Sequence, residues 1–278
     1  MYKIVAKEKL GPVTDLIKVK ALKLAKKARP GQFVVIRIDE VGERIPLTLA
    51  DWDDKEGTIT LVAMQVGTST HKLACLNTGS HITNLVGPLG LPSEIEKFGT
   101  VVCIGGGVGV APIYPIARAL RQAGNKVVSI IGAREKGLLF WEEQMRSVSD
   151  ELIVTTDDGS YARKGLVTEP LKEIIEREQV DRVIAIGPAI MMKFCSLTTK
   201  PFGVHTVVSL NSIMVDGTGM CGCCRVSIDD ITRFVCVDGP EFDGHKVDWD
   251  LLFKRQQIYC DEEKHSLESW KSCHCQNG

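Results

Sequence analysis

The run TVVCIGGGVGVAP, residues 100–112, divides the chain. It begins as an apolar, β-branched run of strand length, breaks into glycines, and passes into IYPIARALRQAG (113–124), whose apolar residues recur with helical period. A strand, a glycine loop and a helix in that order suit a phosphate. Glycines let the backbone approach a pyrophosphate, and the free amides of the helix N-terminus stabilise its charge. Within Gly107-x-Gly109-x-x-Pro112, Pro112 stands where the usual dinucleotide fingerprint has a third glycine, and proline is tolerated in a first helical turn. Gly105, Gly106, Gly107, Val108, Gly109 and Pro112 are thus candidate nucleotide contacts, on the strength of the β/α alternation around them.

Downstream, KVVSIIGA, ELIVTTDD and RVIAIGP read as strands, and LLFWEEQMRSV and LVTEPLKEIIERE as helices. Strands alternating with helices predict a parallel sheet covered on both faces, with ligands at the carboxyl ends of its strands. Asp157, Asp158, Gly187 and Pro188 stand at such ends. Arg134 and Glu135 follow the second strand. Arg134 suits a 2′-phosphate and Glu135 a free ribose hydroxyl, so the choice between NAD and NADP stays open.

Upstream the grammar differs. YKIVAKEKL, DLIKVKAL, QFVVIRID, TITLVAMQV and HITNLVG are short alternating or apolar runs separated by turn residues, which predicts a small antiparallel barrel over 1–98. Arg44-Ile45-Pro46-Leu47-Thr48 is expected to leave a strand, and Gly67-Thr68-Ser69-Thr70 to open a short helix. That helix start suits a phosphate, or is simply an N-cap. GPLGLP (87–92) reads as the loop that ends the barrel.

After HTVVSL comes a cysteine loop, LNSIMVDGTGMCGCCRVSIDDITRFVCVDGPEFD (210–243), with Asp216, Cys221, Cys224 and Cys236 spaced Asp-x4-Cys-x2-Cys-x11-Cys. With a thiol at Asp216 this would approach the plant-type 2Fe–2S spacing. Thiolates in Cys-x2-Cys spacing also make structural zinc sites, and unreactive buried thiols are a third reading. The expected division is 1–98, a nucleotide domain 99–205, a cluster module 206–260, and a polar tail 261–278 ending in Cys273-His274-Cys275.

Bulk composition narrows the setting. With 34 Lys+Arg against 35 Asp+Glu in 278 residues, no nucleic-acid or acidic-membrane footprint appears. The start, MYKIVAKEKL, is charged and strand-like rather than a signal region, and glycines and prolines interrupt the longest uncharged run. A reducing, cytoplasmic compartment is expected, where clustered cysteines bind metal more often than they pair.

Barrel, GGGVGVAP and terminal cysteine loop together resemble the ferredoxin–NADP reductase superfamily, over nearly all of residues 1–260. Within it the chain is similar to the electron-transfer subunits of class B dihydroorotate dehydrogenase. It is also similar to the small subunits of NADH-dependent reduced ferredoxin:NADP oxidoreductases, which are known for an aspartate ligand where the dihydroorotate type has cysteine. Asp216 is the residue that carries this second likeness, with Cys236-x-Asp-Gly-Pro-x-Phe242 as a further shared element. The resemblance implies FAD on the barrel, bordered by Pro46, Leu47, Thr48, Val62, Ala63 and Met64, with its pyrophosphate at Ser69 and Thr70. It implies NAD(H) over Gly105–Gly109, with Asp157, Asp158, Gly187 and Pro188 round the nicotinamide side. It implies a 2Fe–2S cluster on Asp216, Cys221, Cys224 and Cys236, and a larger flavin/iron–sulfur partner handling NADP(H) and ferredoxin, possible electron bifurcation included. The superfamily usually has arginine three residues before the flavin-side Ser/Thr; here Ile45 fills that place and Arg44 stands one residue earlier. The rival within this resemblance is the dihydroorotate-oxidising complex. A different class is a zinc-stapled nucleotide sensor.

Overall fold

A computed structural model describes residues 1–274. The first half-chain runs β1 (Tyr2–Gly11), β2 (Thr14–Lys20), the one-turn α1 (Leu22–Ala25), β3 (Phe33–Arg37), β4 (Arg44–Asp53), β5 (Thr58–Met64), α2 (Thr68–Cys75), β6 (His81–Ile82) and β7 (Asn84–Leu89). All seven strands form one antiparallel sheet, ordered β6-β1-β2-β5-β4-β3-β7. The edge strands β6 and β7 are joined by the single residue Thr83, so the sheet curls round on itself. Alternation explains the filling. Ile17, Val19, Val34, Ile36, Leu49, Ile59 and Leu61 point inward to one buried cluster, while Phe33, Val35 and Val62 point outward to other cores.

From Thr100 the chain runs β8 (Thr100–Gly106), a 3-10 turn at Gly107–Gly109, α3 (Val110–Gln122), β9 (Lys126–Ala133), α4 (Glu142–Ser147), β10 (Glu151–Thr156), β11 (Arg163–Lys164), α5 (Thr168–Arg177), β12 (Arg182–Ile186), α6 (Ala189–Thr199) and β13 (Thr206–Ser209). The remainder holds the hairpin β14 (Arg225–Ile228) and β15 (Ile231–Phe234), α7 (Val235–Asp238), β16 (Glu241–Asp243), α8 (Trp249–Gln256) and α9 (Cys260–His274). The second sheet is ordered β11-β10-β9-β8-β12-β13-β16, parallel throughout except for β16. The expected antiparallel barrel and parallel α/β sheet are both present.

Several local expectations need correction. RIPLT does not leave a strand: it begins β4, where Pro46 pairs with Val35. GPLGLP is loop only in its second half, because β7 extends through Leu89 and residues 90–92 then leave the barrel. LLFWEEQMRSV is not one helix. Trp141 sits in the left-handed region (φ 57°), so only Glu142–Ser147 coil as α4. The parallel sheet passes residue 205, for β13 and β16 are its last two strands. The loop beyond draws its core from that sheet, since Cys224, Val226, Cys236 and Trp249 pack in one cluster with Met192, Cys195 and Val208. Finally, most of the expected polar tail is the helix α9, which rests on α2. Of Cys273-His274-Cys275, Cys273 is exposed on α9 and Cys275 lies outside the described residues.

Candidate functional site

The sheet order creates the nucleotide crevice. From β8 the chain moves to β9 and β10 on one side, then crosses to β12 on the other, so strand order reverses between β8 and β12. Loops diverge at such a point and leave a cleft at the carboxyl ends. Ile186 pairs with Gly105, which puts Gly187-Pro188 opposite Gly106-Gly107 across that cleft. The loop is packed to contact. A Cβ on Gly109 would lie 2.1 Å from the Ile186 carbonyl oxygen, and one on Gly106 would lie 2.3 Å from Met191 Sδ. Gly107 is the exception: at φ +54° it faces open space, with nothing within 4 Å of where a Cβ would be. A pyrophosphate fits there, over the start of α3. Pro112 is buried in the first turn of α3, as its place in the fingerprint requires.

Asp157 and Asp158 are less central than expected. Their amides donate to Ala133 O at 3.0 Å and Arg134 O at 3.2 Å, which ties them to the end of β9, two strands away from Gly187-Pro188 on β12. The Ser160 amide donates to Asp158 Oδ1 at 2.9 Å and holds its carboxyl below the usual range. Both aspartates and Arg134 are exposed. The structure groups them with one another and not with the Gly187 side of the cleft.

On the barrel, alternation sorts the flavin-side residues. Pro46 and Thr48 pair with Val35 and Phe33 and share their outward face, whereas Leu47 packs on the barrel core. Likewise Val62 packs outward, in the cluster that holds Val108 and Val110 of the glycine loop, while Ala63 turns inward and Met64 is exposed at the strand end. Helix α2 opens at Gly67 with no side-chain cap on its first amides. Thr70 Oγ1 accepts from Val66 N at 3.0 Å and Gly67 N at 3.1 Å, so this hydroxyl braces the turn. Arg44 lies elsewhere, paired with Arg37 and lining a crevice with Val35, Val86, Asp216 and Thr218. That places it beside the cysteine loop.

The cysteine loop folds over β3 and β7: a Cβ on Gly217 would lie 2.7 Å from Val35 Cγ2 and 3.0 Å from Leu89 Cδ1. Asp216 organises its turn, Oδ1 accepting from Thr218 N at 2.8 Å and Oδ2 from Cys221 N at 3.0 Å. Those amides hold the Asp216 carboxyl below its ordinary range. Cys224 and Cys236 are buried with their sulfurs 3.2 Å apart, and burial pushes the Cys236 thiol up to about 12. Cys221 is exposed, and the Cys223 amide favours its thiolate by lowering its pKa. Cys223 shifts the other way, raised by its contact with the Cys221 sulfur. Among the described residues, no three His, Cys, Asp or Glu side chains close round one point as they would for a single metal ion. The donor set nevertheless suits a two-iron unit: two adjacent buried sulfurs, a thiolate-prone sulfur, and a carboxylate on one glycine-rich turn. Cys260, at the head of α9, has its sulfur 3.7 Å from Gln256 O, at the junction of α8 and α9. Sequence reasoning missed Val35 and Leu89, the floor under the cysteine loop, because nothing in a strand's pattern says what will lie on its outer face.

Known proteins agree with this arrangement. Residues 103–196 match the oxidoreductase NAD-binding domain, and residues 211–248 the iron–sulfur cluster binding domain of dihydroorotate dehydrogenase B. A dihydroorotate dehydrogenase B (NAD(+)) electron transfer subunit homologue of Thermotoga maritima is 52% identical over 88% of this chain and 86% of its own length. An electron transfer subunit of Fusobacterium nucleatum is 33% identical over 77% and 84%. The solved structure of an NADH-dependent reduced ferredoxin-NADP oxidoreductase, described in terms of flavin-based electron bifurcation, is 48% identical, covers 97% of this chain and 98% of that one, and superposes with a TM-score of 0.92. A cytochrome P450 reductase of Amycolatopsis shares the fold at 21% identity and TM-score 0.61, over 74% and 68%.

Barrel, split sheet and cysteine loop thus define an electron-transfer oxidoreductase subunit that uses FAD, NAD(H) and a 2Fe–2S cluster. More particularly, the chain belongs to the family of dihydroorotate dehydrogenase B electron transfer subunits and their homologues. As an electron transfer subunit it is one part of a heteromeric complex. Among the described residues no helix is long and apolar enough to cross a membrane.

Proposed function

We propose that the chain takes electrons from NADH through FAD to a 2Fe–2S cluster held by Asp216, Cys221, Cys224 and Cys236, and from there to a larger cytoplasmic flavin/iron–sulfur partner. One observation carries this reading: the three candidate sites meet on adjacent barrel strands. Val62 of β5 packs with the glycine loop, Pro46 and Thr48 of β4 share an outward face, and Val35, paired with Pro46, lies under Gly217 of the cysteine loop. When bound, the flavin accepts electrons in pairs and releases them singly, which links a nicotinamide to a one-electron cluster. The chain's own residues bind and space the groups. The amides of α2 near Ser69, uncapped by a side chain, would hold the FAD pyrophosphate, and Gly107 leaves room for the nucleotide pyrophosphate. Gly187-Pro188 borders the nicotinamide end, and Asp157, Asp158 and Arg134 belong to the adenylate end. Val35 and Leu89 form an apolar floor under Gly217 of the cysteine loop. Arg44, in the crevice beside Asp216, offsets negative charge at the cluster and not at the FAD phosphate.

The partner handles NADP(H) and ferredoxin in this reading and the assembly bifurcates electrons, which the likeness to an NADH-dependent reduced ferredoxin-NADP oxidoreductase at 48% identity supports. The second reading is a dihydroorotate-oxidising partner, favoured by the name that the Thermotoga and Fusobacterium relatives share. Co-purification of the native complex tests the choice: a large flavin/iron–sulfur subunit is expected, and a dihydroorotate-oxidising subunit in its place would overturn it. Stopped-flow bleaching of the flavin tests the nucleotide. NADH is expected to react faster than NADPH because Glu135 can accept from a ribose hydroxyl, and a clear NADPH preference would transfer the selecting role to Arg134.

A further inference from the structure

Helix α9 has almost no core of its own. Of the residues whose side chains are described, Cys260, Ser266, Leu267 and Trp270 are partly covered, and the rest are exposed. Its contacts with α2 include two side-chain pairs. Thr68 Oγ1 and Ser266 Oγ are 2.9 Å apart, and the rings of His71 and Trp270 stack at 5.5 Å with their planes 30° apart. Both pairings advance in the same direction, so α9 lies parallel to α2. Ser266 is level with the first turn of α2, and the five residues from Asp261 to His265 continue for about 8 Å beyond its amino end, at 1.5 Å rise per residue. The other end of the connection is firm, because α8 is anchored by Trp249 and Leu252 in the core shared with Cys224 and Cys236. Between them Gln257, Ile258 and Tyr259 are all exposed.

We propose that α9 is a strap that retains FAD: it spans from the cluster module to α2, steadies the turn whose amides face the pyrophosphate, and covers that end of the cofactor. The proposal rests on the reading that the FAD pyrophosphate lies at Gly67–Thr70. The strap does not itself attract the phosphates, for its first turn carries Asp261, Glu262 and Glu263. Its effect is to hold Thr68 and His71 and to close the exit. Bound FAD stabilises the docked state by mass action.

The test uses the full-length holoprotein and follows the rise in flavin fluorescence as FAD is released on dilution. Trp270→Ala and Ser266→Ala are expected to speed release, Trp270→Ala by about threefold to tenfold, the worth of one aromatic pair. Trp270→Phe keeps a ring for His71 and is expected to restore slow release. Cluster spectrum and far-ultraviolet circular dichroism are expected to stay unchanged in all three, which separates a strap from a general loss of structure. Ser69→Glu checks the underlying reading by placing a carboxylate at the pyrophosphate. If Ser69→Glu loses FAD while the double variant Ser266→Ala/Trp270→Ala releases it at the wild-type rate, the strap is overturned and the FAD site stands. If Ser69→Glu retains FAD normally, the α2 site falls and the strap falls with it.

Discussion

The glycine loop at 105–109 and the cysteine loop at 216–224 do similar work by different means. In the first, packing sets the shape: places where side chains would stand at Gly106, Gly109 and Gly187 are filled by Met191, Ile186 and the facing backbone. In the second, the shape of the exposed turn depends on the carboxylate of Asp216 and its bonds to two amides, while only Cys224 and Cys236 are sunk in the core. A site built by packing is complete before its ligand arrives. A site built by a few exposed hydrogen bonds is finished by the metal it binds, since structural metal ligation contributes folding energy of its own. Loss of one contact should therefore damage the whole domain in the first loop, and only the site in the second.

The largest effect is expected at Gly109→Val. Its side chain would meet backbone of β12, so the chain should lose on the order of 3 kcal/mol or more, seen as a collapse of the thermal midpoint. A variant that unfolds like wild type would show the loop to be looser than its packing implies. Asp216→Ala comes next. It frees the Thr218 and Cys221 amides and removes the proposed fourth ligand together, so the cluster should be absent or labile while FAD and the barrel melting transition persist. An unchanged electron paramagnetic resonance spectrum would place the fourth ligand elsewhere. Gly107→Ala sharpens the contrast within the first loop. Its methyl enters open space, so stability should fall by only about 1 kcal/mol, from the left-handed φ, while the KM for NADH rises about tenfold or more.

The smallest effect concerns the brace behind the cysteine loop. Glu241 of β16 accepts from Ser93 Oγ, and burial raises its carboxyl to about 7 from an unfolded value of 4.5. Because the folded pKa is the higher one, its stabilising contribution is full below about 4.5 and is lost as pH rises toward about 7. Glu241→Gln keeps the acceptor oxygen without the charge. It should raise the thermal midpoint at pH about 8 and change it little at pH about 5. Equal midpoints at both pH values would mean that the carboxyl ionises as it would in water.

Sequence made the barrel, the alternating sheet and the cysteine spacing legible, because each has its own period or spacing. It was silent on the outward faces. Nothing in VVIR says that Val35 will floor the cysteine loop, and nothing in RIPLT says that Leu47 will turn inward between Pro46 and Thr48, until the register with β3 is known. The same holds for Asp157 and Asp158: they end a strand, as the sequence implied, but the strand order puts them beyond β9. Helix α9 was hidden for another reason, being polar nearly all round and stabilised by contacts far away in sequence.

The central claim is that one electron path runs from the nucleotide cleft across β5, β4 and β3 to the cysteine loop. Rapid-freeze electron paramagnetic resonance of the anaerobic holoprotein after mixing with NADH tests it most directly. The flavin should bleach first, and the signal of a reduced 2Fe–2S cluster should follow within the same turnover, without any partner present. A bleached flavin beside a cluster that stays oxidised would contradict it.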